Sequence, residues 1–235
     1  MKNSVRLITI LTLVAALHSA SAADVTGTIT LKGTPPPEKD LPLTAECGAL
    51  HKAPLKTRLY MVGDKGQLAG AIVVIKGVNS KSSGAEAKPI LMDQVGCEYS
   101  PYFSAVQTGQ KVLVKNSDPV MHNVHPMPTV VGNKEENKAQ MPKAPELQFV
   151  FDKPEHFMKF SCQVHPWMIA YVSVFDHPYF AVTGKDGTYK IANVPPGKYT
   201  MEVYHRKAAP VASPVTKEIE VKDSAATADF TLEVK

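Results

Sequence analysis

Strand patterns dominate the alternation of hydrophobic and polar positions. Val25, Gly27, Ile29 and Leu31 alternate with Thr26, Thr28, Thr30 and Lys32, which predicts a half-buried strand ended by Pro35-Pro36-Pro37. Gly70 to Ile75 is a short continuous apolar run, the pattern of a central strand covered on both faces. Lys111 to Lys115 is a strand that stops at Asn116-Ser117-Asp118-Pro119, strong turn chemistry. Leu147, Phe149 and Phe151 alternate, as do Met158, Phe160 and Cys162, and Ile169 to Phe175 is a further strand. Ser80 to Lys88 and Asn133 to Pro145 are polar and read as loops.

The last sixty residues change character. Val182 to Ile191 reads as strand, Asp-Gly turn, strand, and Val194-Pro195-Pro196-Gly197 as a second turn. Tyr199, Met201 and Val203 alternate with polar neighbours, and Ile219/Val221 and Phe230/Leu232/Val234 give two more strands. Short strands with frequent turns predict an all-β fold built as β-sandwich.

Composition supports this class. With 20% charged and 44% hydrophobic residues the chain is globular, and 19 prolines against 14 glycines suit a loop-rich β protein. A length of 235 residues gives one or two domains. The start changes the picture of charge. Lys2 and Arg6, an apolar run from Leu7 to Leu17 and the small residues Ser19 to Ala23 form the three-part pattern of a secretory leader, residues 1–22, cleaved near Ala22. The run falls short of the ~20 apolar residues a membrane span needs. Removing the leader takes two cations and no acid, so the formal charge of +4 drops to +2. No Lys/Arg block interleaves with aromatics, so nucleic acid is not an expected partner. The expected location is the periplasm or the outside of the cell, without a span in the mature chain.

Three cysteines are an odd count. Cys47 and Cys97 lie in turn-like surroundings and are natural disulfide partners in an exported protein. The alternative, a reactive thiol or a second metal site, has only the sparse Cys47-x3-His51 spacing behind it. Cys162 belongs to the most informative segment, Cys162-Gln163-Val164-His165-Pro166-Trp167-Met168. A thiolate, an imidazole and a thioether fall within seven residues, after one strand and before the next. Upstream, Asn116 to His125 follows another strand and carries His122. Copper cycling between Cu(I) and Cu(II) needs ligands acceptable to both, and two His, one Cys and a weak axial Met give an electron-transfer set. Each residue alone is ordinary packing; in this order, on strand ends, they make a metal site.

Asn116-x-Asp118, His122-Asn123-Val124 and Cys162-x2-His165-x2-Met168 together resemble the cupredoxins, the blue type 1 copper proteins of the amicyanin and plastocyanin kind. The resemblance covers about residues 88–176. It implies a Greek-key β-sandwich with one copper held by His122, Cys162, His165 and axial Met168. It also implies that Asn123 braces the ligand loops and donates its backbone N–H to the Cys162 sulfur. Asp186-Gly187-Thr188-Tyr189, Val194 to Tyr199, Gly27-Thr28-Ile29 and Leu68 to Val74 resemble the carboxypeptidase regulatory-like, prealbumin-like domains. That second sandwich is expected to be split, with residues 24–80 and 177–235 flanking the copper domain; a tandem arrangement is the alternative.

The implied function is one-electron carriage between redox protein partners that the sequence does not name. Copper storage, delivery or sensing is the alternative, and Met121, Met127, Met141 and His125 would serve it. An enzyme is not expected. Cys162 has no adjacent His to pass electrons to a second copper, no second three-His cluster is visible, and one Cys in the ligand loop excludes a dinuclear centre. A Cys162/His165 hydrolase would need its base on a separate rigid neighbour. His51, His156, His177 and His205 carry no motif and are expected to be structural or exposed. Trp167 is expected to pack beside the site. Pro126-Met127-Pro128 and Pro166-Trp167 could form a docking patch at the His165 ring edge.

Overall fold

The structure, a computed structural model, describes residues 21–209 and 213–235. The leader assignment, residues 1–22, falls almost wholly outside them. Among the described residues there are nineteen strands and one four-residue helix, Ala45–Gly48. None of their helices is long and apolar enough to cross a membrane.

The strands enclose two separate hydrophobic cores. Around the first, strand Ala23–Lys32 pairs antiparallel with Thr188–Val194 and parallel with Ala226–Thr227 and Phe230–Glu233. A facing sheet runs Phe180–Val182, Ile72–Lys76, Gly197–Tyr204, Val215–Val221. Between them lie Val25, Ile29, Leu68, Val73, Ile75, Ile191, Met201 and Val203. The chain's first long strand is therefore held by strands that lie more than 150 residues later.

The second core is closed by two more sheets. One orders Lys138–Gln140, His122–Met127, Glu155–Ser161, Ile169–Phe175 and Phe103–Gln107; the other orders Leu147–Phe149, Val112–Asn116, Ile90–Gln94 and Tyr99–Ser100. Met92, Tyr99, Val114, Val124, Phe149, Phe151, Met158 and Phe160 fill the space between. Both sheets mix parallel and antiparallel pairs: Phe103–Gln107 runs parallel to Ile169–Phe175, and Ile90–Gln94 parallel to Val112–Asn116. The molecule is all-β, two sandwiches in contact.

A small third cluster joins them. Ile72 and Val74 point away from the first core and pack on Phe175, with Ala105, Phe157, Phe180 and Tyr204 around them. This explains the continuous apolar run: alternate residues of Ile72–Lys76 serve different cores, so both faces are buried.

Two elements differ from the sequence pattern. The segments either side of Asp186-Gly187 do not pair as a hairpin. Phe180–Val182 joins one sheet and Thr188–Val194 the other. The turn itself forms, with Gly184 N–H donating to Thr188 O at 3.0 Å and Asp186 Oδ1 accepting from Thr188 N–H at 3.1 Å. It turns the chain around a corner of the sandwich. The stretch from Asn133 to Pro145 is not all loop, because Lys138–Gln140 pairs with the strand that begins at His122. A three-residue polar edge strand has no hydrophobic period to reveal it.

Candidate metal centre

The site sits at one end of the second sandwich, where strands finish in ordered turns. His122 is the first residue of His122–Met127, and Cys162 directly follows Glu155–Ser161. These neighbours pair antiparallel with Ser161 opposite His125, which sets Cys162 beside the start of the other strand. The backbone N–H of Asn123 donates to Cys162 Sγ at 3.5 Å. The chain then leaves the sheet and returns at Ile169. Two main-chain bonds close this loop, Cys162 N–H to Met168 O at 3.1 Å and Met168 N–H to His165 O at 2.8 Å.

The side chains converge. His122 Nδ1 lies 2.9 Å from His165 Nδ1, and Cys162 Sγ lies 3.8 Å from that same nitrogen. The ligand atoms of all three residues lie within 4.8 Å of one another. All three are buried, His165 the most exposed at 5%. Met168, 1% exposed, shares the hydrophobic core with Cys162. The set offers one soft sulfur, two imidazoles and a neighbouring thioether, a donor chemistry that fits copper in both oxidation states.

Asn123 ties the ligand turns together. Its Oδ1 accepts from the backbone N–H of Gln163 at 2.7 Å and of Val164 at 3.3 Å, and its Nδ2 donates to Asn137 Oδ1 and Gln163 Oε1, both at 2.6 Å. Tyr99 adds a second tie, its hydroxyl donating to Asn123 O at 2.9 Å and Ser161 O at 3.2 Å. Asp118 fixes the other imidazole. Its Oδ2 lies 2.9 Å from His122 Nε2, while its two oxygens accept from the N–H groups of Gly96 at 2.5 Å and Cys97 at 2.7 Å. A carboxylate on Nε2 leaves Nδ1 free to ligate and makes it more basic.

Proton affinities follow from these contacts. Burial pushes the Cys162 thiol up, but the His122 ring and the Asn123 N–H outweigh it and hold it below the usual thiol range. Burial disfavours charge on His122, yet Asp118 and Cys162 beside it leave its affinity for a proton raised. Burial and the neighbouring His122 both lower His165. Burial raises Asp118, but His122 and the two N–H donors hold it below the ordinary carboxylate value.

Of the residues singled out in the sequence, His122, Cys162 and His165 come together with Met168 alongside, and Asn123 lies against Cys162. His125 does not join them. Its Nε2 pairs with Glu135 Oε1 at 2.6 Å and its Nδ1 with Gln163. Cys47 and Cys97 form a disulfide with Cα atoms 5.7 Å apart, leaving Cys162 the free cysteine. The disulfide lies against the site, since both sulfurs and a His165 ring nitrogen are within 4.8 Å of one another. Trp167 packs with its ring centroid 5.2 Å from that of His165 and donates Nε1–H to Cys97 O at 3.2 Å. The His165 ring is thus walled in rather than open at an edge. The sequence places Asp118 in a turn and in the Asn116-x-Asp118 motif, but assigns it no contact with His122. Its position four residues before a ligand His was the available signal.

No family model matches the sequence, and no curated protein matches it either. Solved structures overlap it in part. A copper-containing nitrite reductase from Thermus scotoductus SA-01 is 20% identical over 43% of this chain, with a TM-score of 0.34. The overlap spans 25% of that enzyme's chain. A reduced single-substitution variant of amicyanin is 25% identical over 43% of this chain and 97% of its own, with a TM-score of 0.33. A Cu(I) variant of amicyanin is 24% identical over the same shares, with a TM-score of 0.32.

Proposed function

We propose that the chain is an exported mononuclear type 1 copper protein that carries one electron at a time between redox partners. The observation behind this reading is the convergence of His122 Nδ1, His165 Nδ1 and Cys162 Sγ within 4.8 Å in a buried pocket beside Met168. Bound copper would supply the Cu(II)/Cu(I) couple. His122 and His165 would bind through Nδ1, Cys162 as thiolate and Met168 axially. Asp118 orients the His122 ring, and Asn123 donates to the thiolate and pins the turn that carries it. Ligands fixed by strands and paired side chains keep one geometry, so little reorganisation accompanies each electron.

The domain reading belongs to the same proposal. Residues 88–176 would be the copper sandwich, interrupting a second sandwich made by 24–80 and 177–235. Its support is the pairing of Ala23–Lys32 with Thr188–Val194 and Phe230–Glu233. Export would be read directly by N-terminal sequencing of the mature protein, with a start expected at Ala23.

Thin-layer redox titration of the copper-loaded protein tests the carrier role. A reversible one-electron transition is expected. Tight Cu(I) retention without a reversible couple would instead favour copper storage or delivery, a reading for which Met121, Met127 and Met141 stand exposed.

A further inference from the structure

The wall over His165 has a chemistry of its own. Cys47 and Cys97 are both fully buried, and their sulfurs lie with a His165 ring nitrogen inside a 4.8 Å envelope. Metal–ligand bonds of about 2.0–2.3 Å place the donors of a three-coordinate ion roughly 3.5–4 Å apart, a spacing the two sulfurs can reach only once the bond between them is open. The geometry points to a second soft-metal site, made of Cys47, Cys97 and His165, that exists only while the disulfide between the two cysteines is reduced.

The segments carrying the cysteines are held independently of the bond. Cys97 lies in a turn whose N–H groups, at Gly96 and Cys97, donate to Asp118. Its carbonyl accepts from Trp167, and His51 Nε2 lies 2.7 Å from Gly96 O. Cys47 sits in the helix Ala45–Gly48, where Thr44 Oγ1 accepts from the Cys47 N–H at 3.4 Å. Opening the bond therefore leaves two thiols still facing His165. Two thiolates and an imidazole in this buried wall, with the Asp118 carboxylate nearby, suit a soft metal such as Cu(I).

The electron balance is simple. A small dithiol gives two electrons and two protons to the Cys47–Cys97 bond, which breaks to two thiols while the reductant closes its own disulfide. On ligation each thiol releases its proton to solvent. The inference does not require the copper role of Cys162 and shares only His165 with it. The Cys47-x3-His51 spacing is too sparse to mark a metal site, and the fold sets His51 on Gly96 O and His165 beside the sulfurs.

The test uses the mature chain carrying Cys162→Ser, which removes the thiolate of the first site. Cu(I) is titrated anaerobically against a chromophoric chelator, before and after reduction with dithiothreitol and its removal. The expected result is one Cu(I) bound at least 100-fold more tightly after reduction. Adding Cys97→Ser should abolish that gain, and adding His165→Ala should weaken binding at least tenfold. Equal affinity in the two redox states, or a gain that survives Cys97→Ser, would overturn the site. An unaffected His165→Ala variant would overturn the three-donor set. Loss of the β-sheet circular dichroism on reduction would also overturn it, because the site needs the fold.

Discussion

Asp118 shows how much one side chain can organise. It touches no ligand atom of the candidate centre, yet it joins His122 Nε2 to the turn that bears Cys97. Replacing Asp118 with Asn keeps the volume and removes the charge that orients the ring. Losses of 10–100-fold in metal affinity are usual for such supporting groups, and a loss in that range is expected for Asp118→Asn in a Cu(I) competition titration. Asn123 acts through shape. Asn123→Ala strips the acceptor from the N–H groups of Gln163 and Val164. Unsatisfied groups of this kind cost about 1–3 kcal/mol, and chemical denaturation of the metal-free protein should show a loss of that size. The convergence of Cys162 and His165 was legible because residues that are to share one ion from one short loop need a fixed spacing, which Cys162, His165 and Met168 show. Asp118 was legible as a turn and motif residue, but not as the partner of the His122 ring. Its partners Gly96 and Cys97 lie more than twenty positions away, and no local pattern encodes them.

At the scale of elements, strand ends matter more than strand interiors. The pairing of Ser161 with His125 sets the two ligand-bearing strands in register, and a slip of one residue would turn Cys162 out of the core. Gly70 shows how tightly the two sandwiches meet. Its φ is +74°, and a Cβ there would stand 2.3 Å from the Phe103 ring. Gly70→Ala therefore combines backbone strain with a clash against a neighbouring strand, and a destabilisation of roughly 2–3 kcal/mol is expected in urea unfolding. Alternation revealed most of these strands, because one face of each meets a core. It did not reveal which sheet each strand would join. Asp186-Gly187 specifies a tight turn, but the corner it makes depends on Ala23–Lys32 and Ile72–Lys76 claiming its two flanks. The Cys47–Cys97 bond and the packing of Trp167 beside His165 were legible; that the disulfide would lie against His165 was not, since Cys47 and Cys97 come from distant parts of the chain.

Across the whole molecule, buried histidines between the sandwiches link stability to pH. His205 is 2% exposed, near the Tyr60 and Phe103 rings. Its Nδ1 accepts from the N–H groups of Lys207 and Ala208. Burial, with Arg206 beside it, pulls its pKa from 6.5 down to about 4. The unfolded chain therefore binds the proton first as pH falls. Stability contributed by neutral His205 is complete above pH 6.5 and drains away as pH falls to about 4, by roughly 3 kcal/mol. Thermal melts across that window should slope downward toward acid. His205→Gln should flatten the slope by about one proton, with His177, 7% exposed and also lowered by burial, keeping the remainder.

The central claim is that Cys162 binds copper as a thiolate between His122 and His165. It is tested most directly by adding one equivalent of Cu(II) to the purified mature protein and recording visible absorption and EPR. An intense blue thiolate-to-copper band that bleaches on reduction, returns on oxidation and is absent from Cys162→Ser is the expected result. A colourless complex, or a band that survives Cys162→Ser, would contradict the claim.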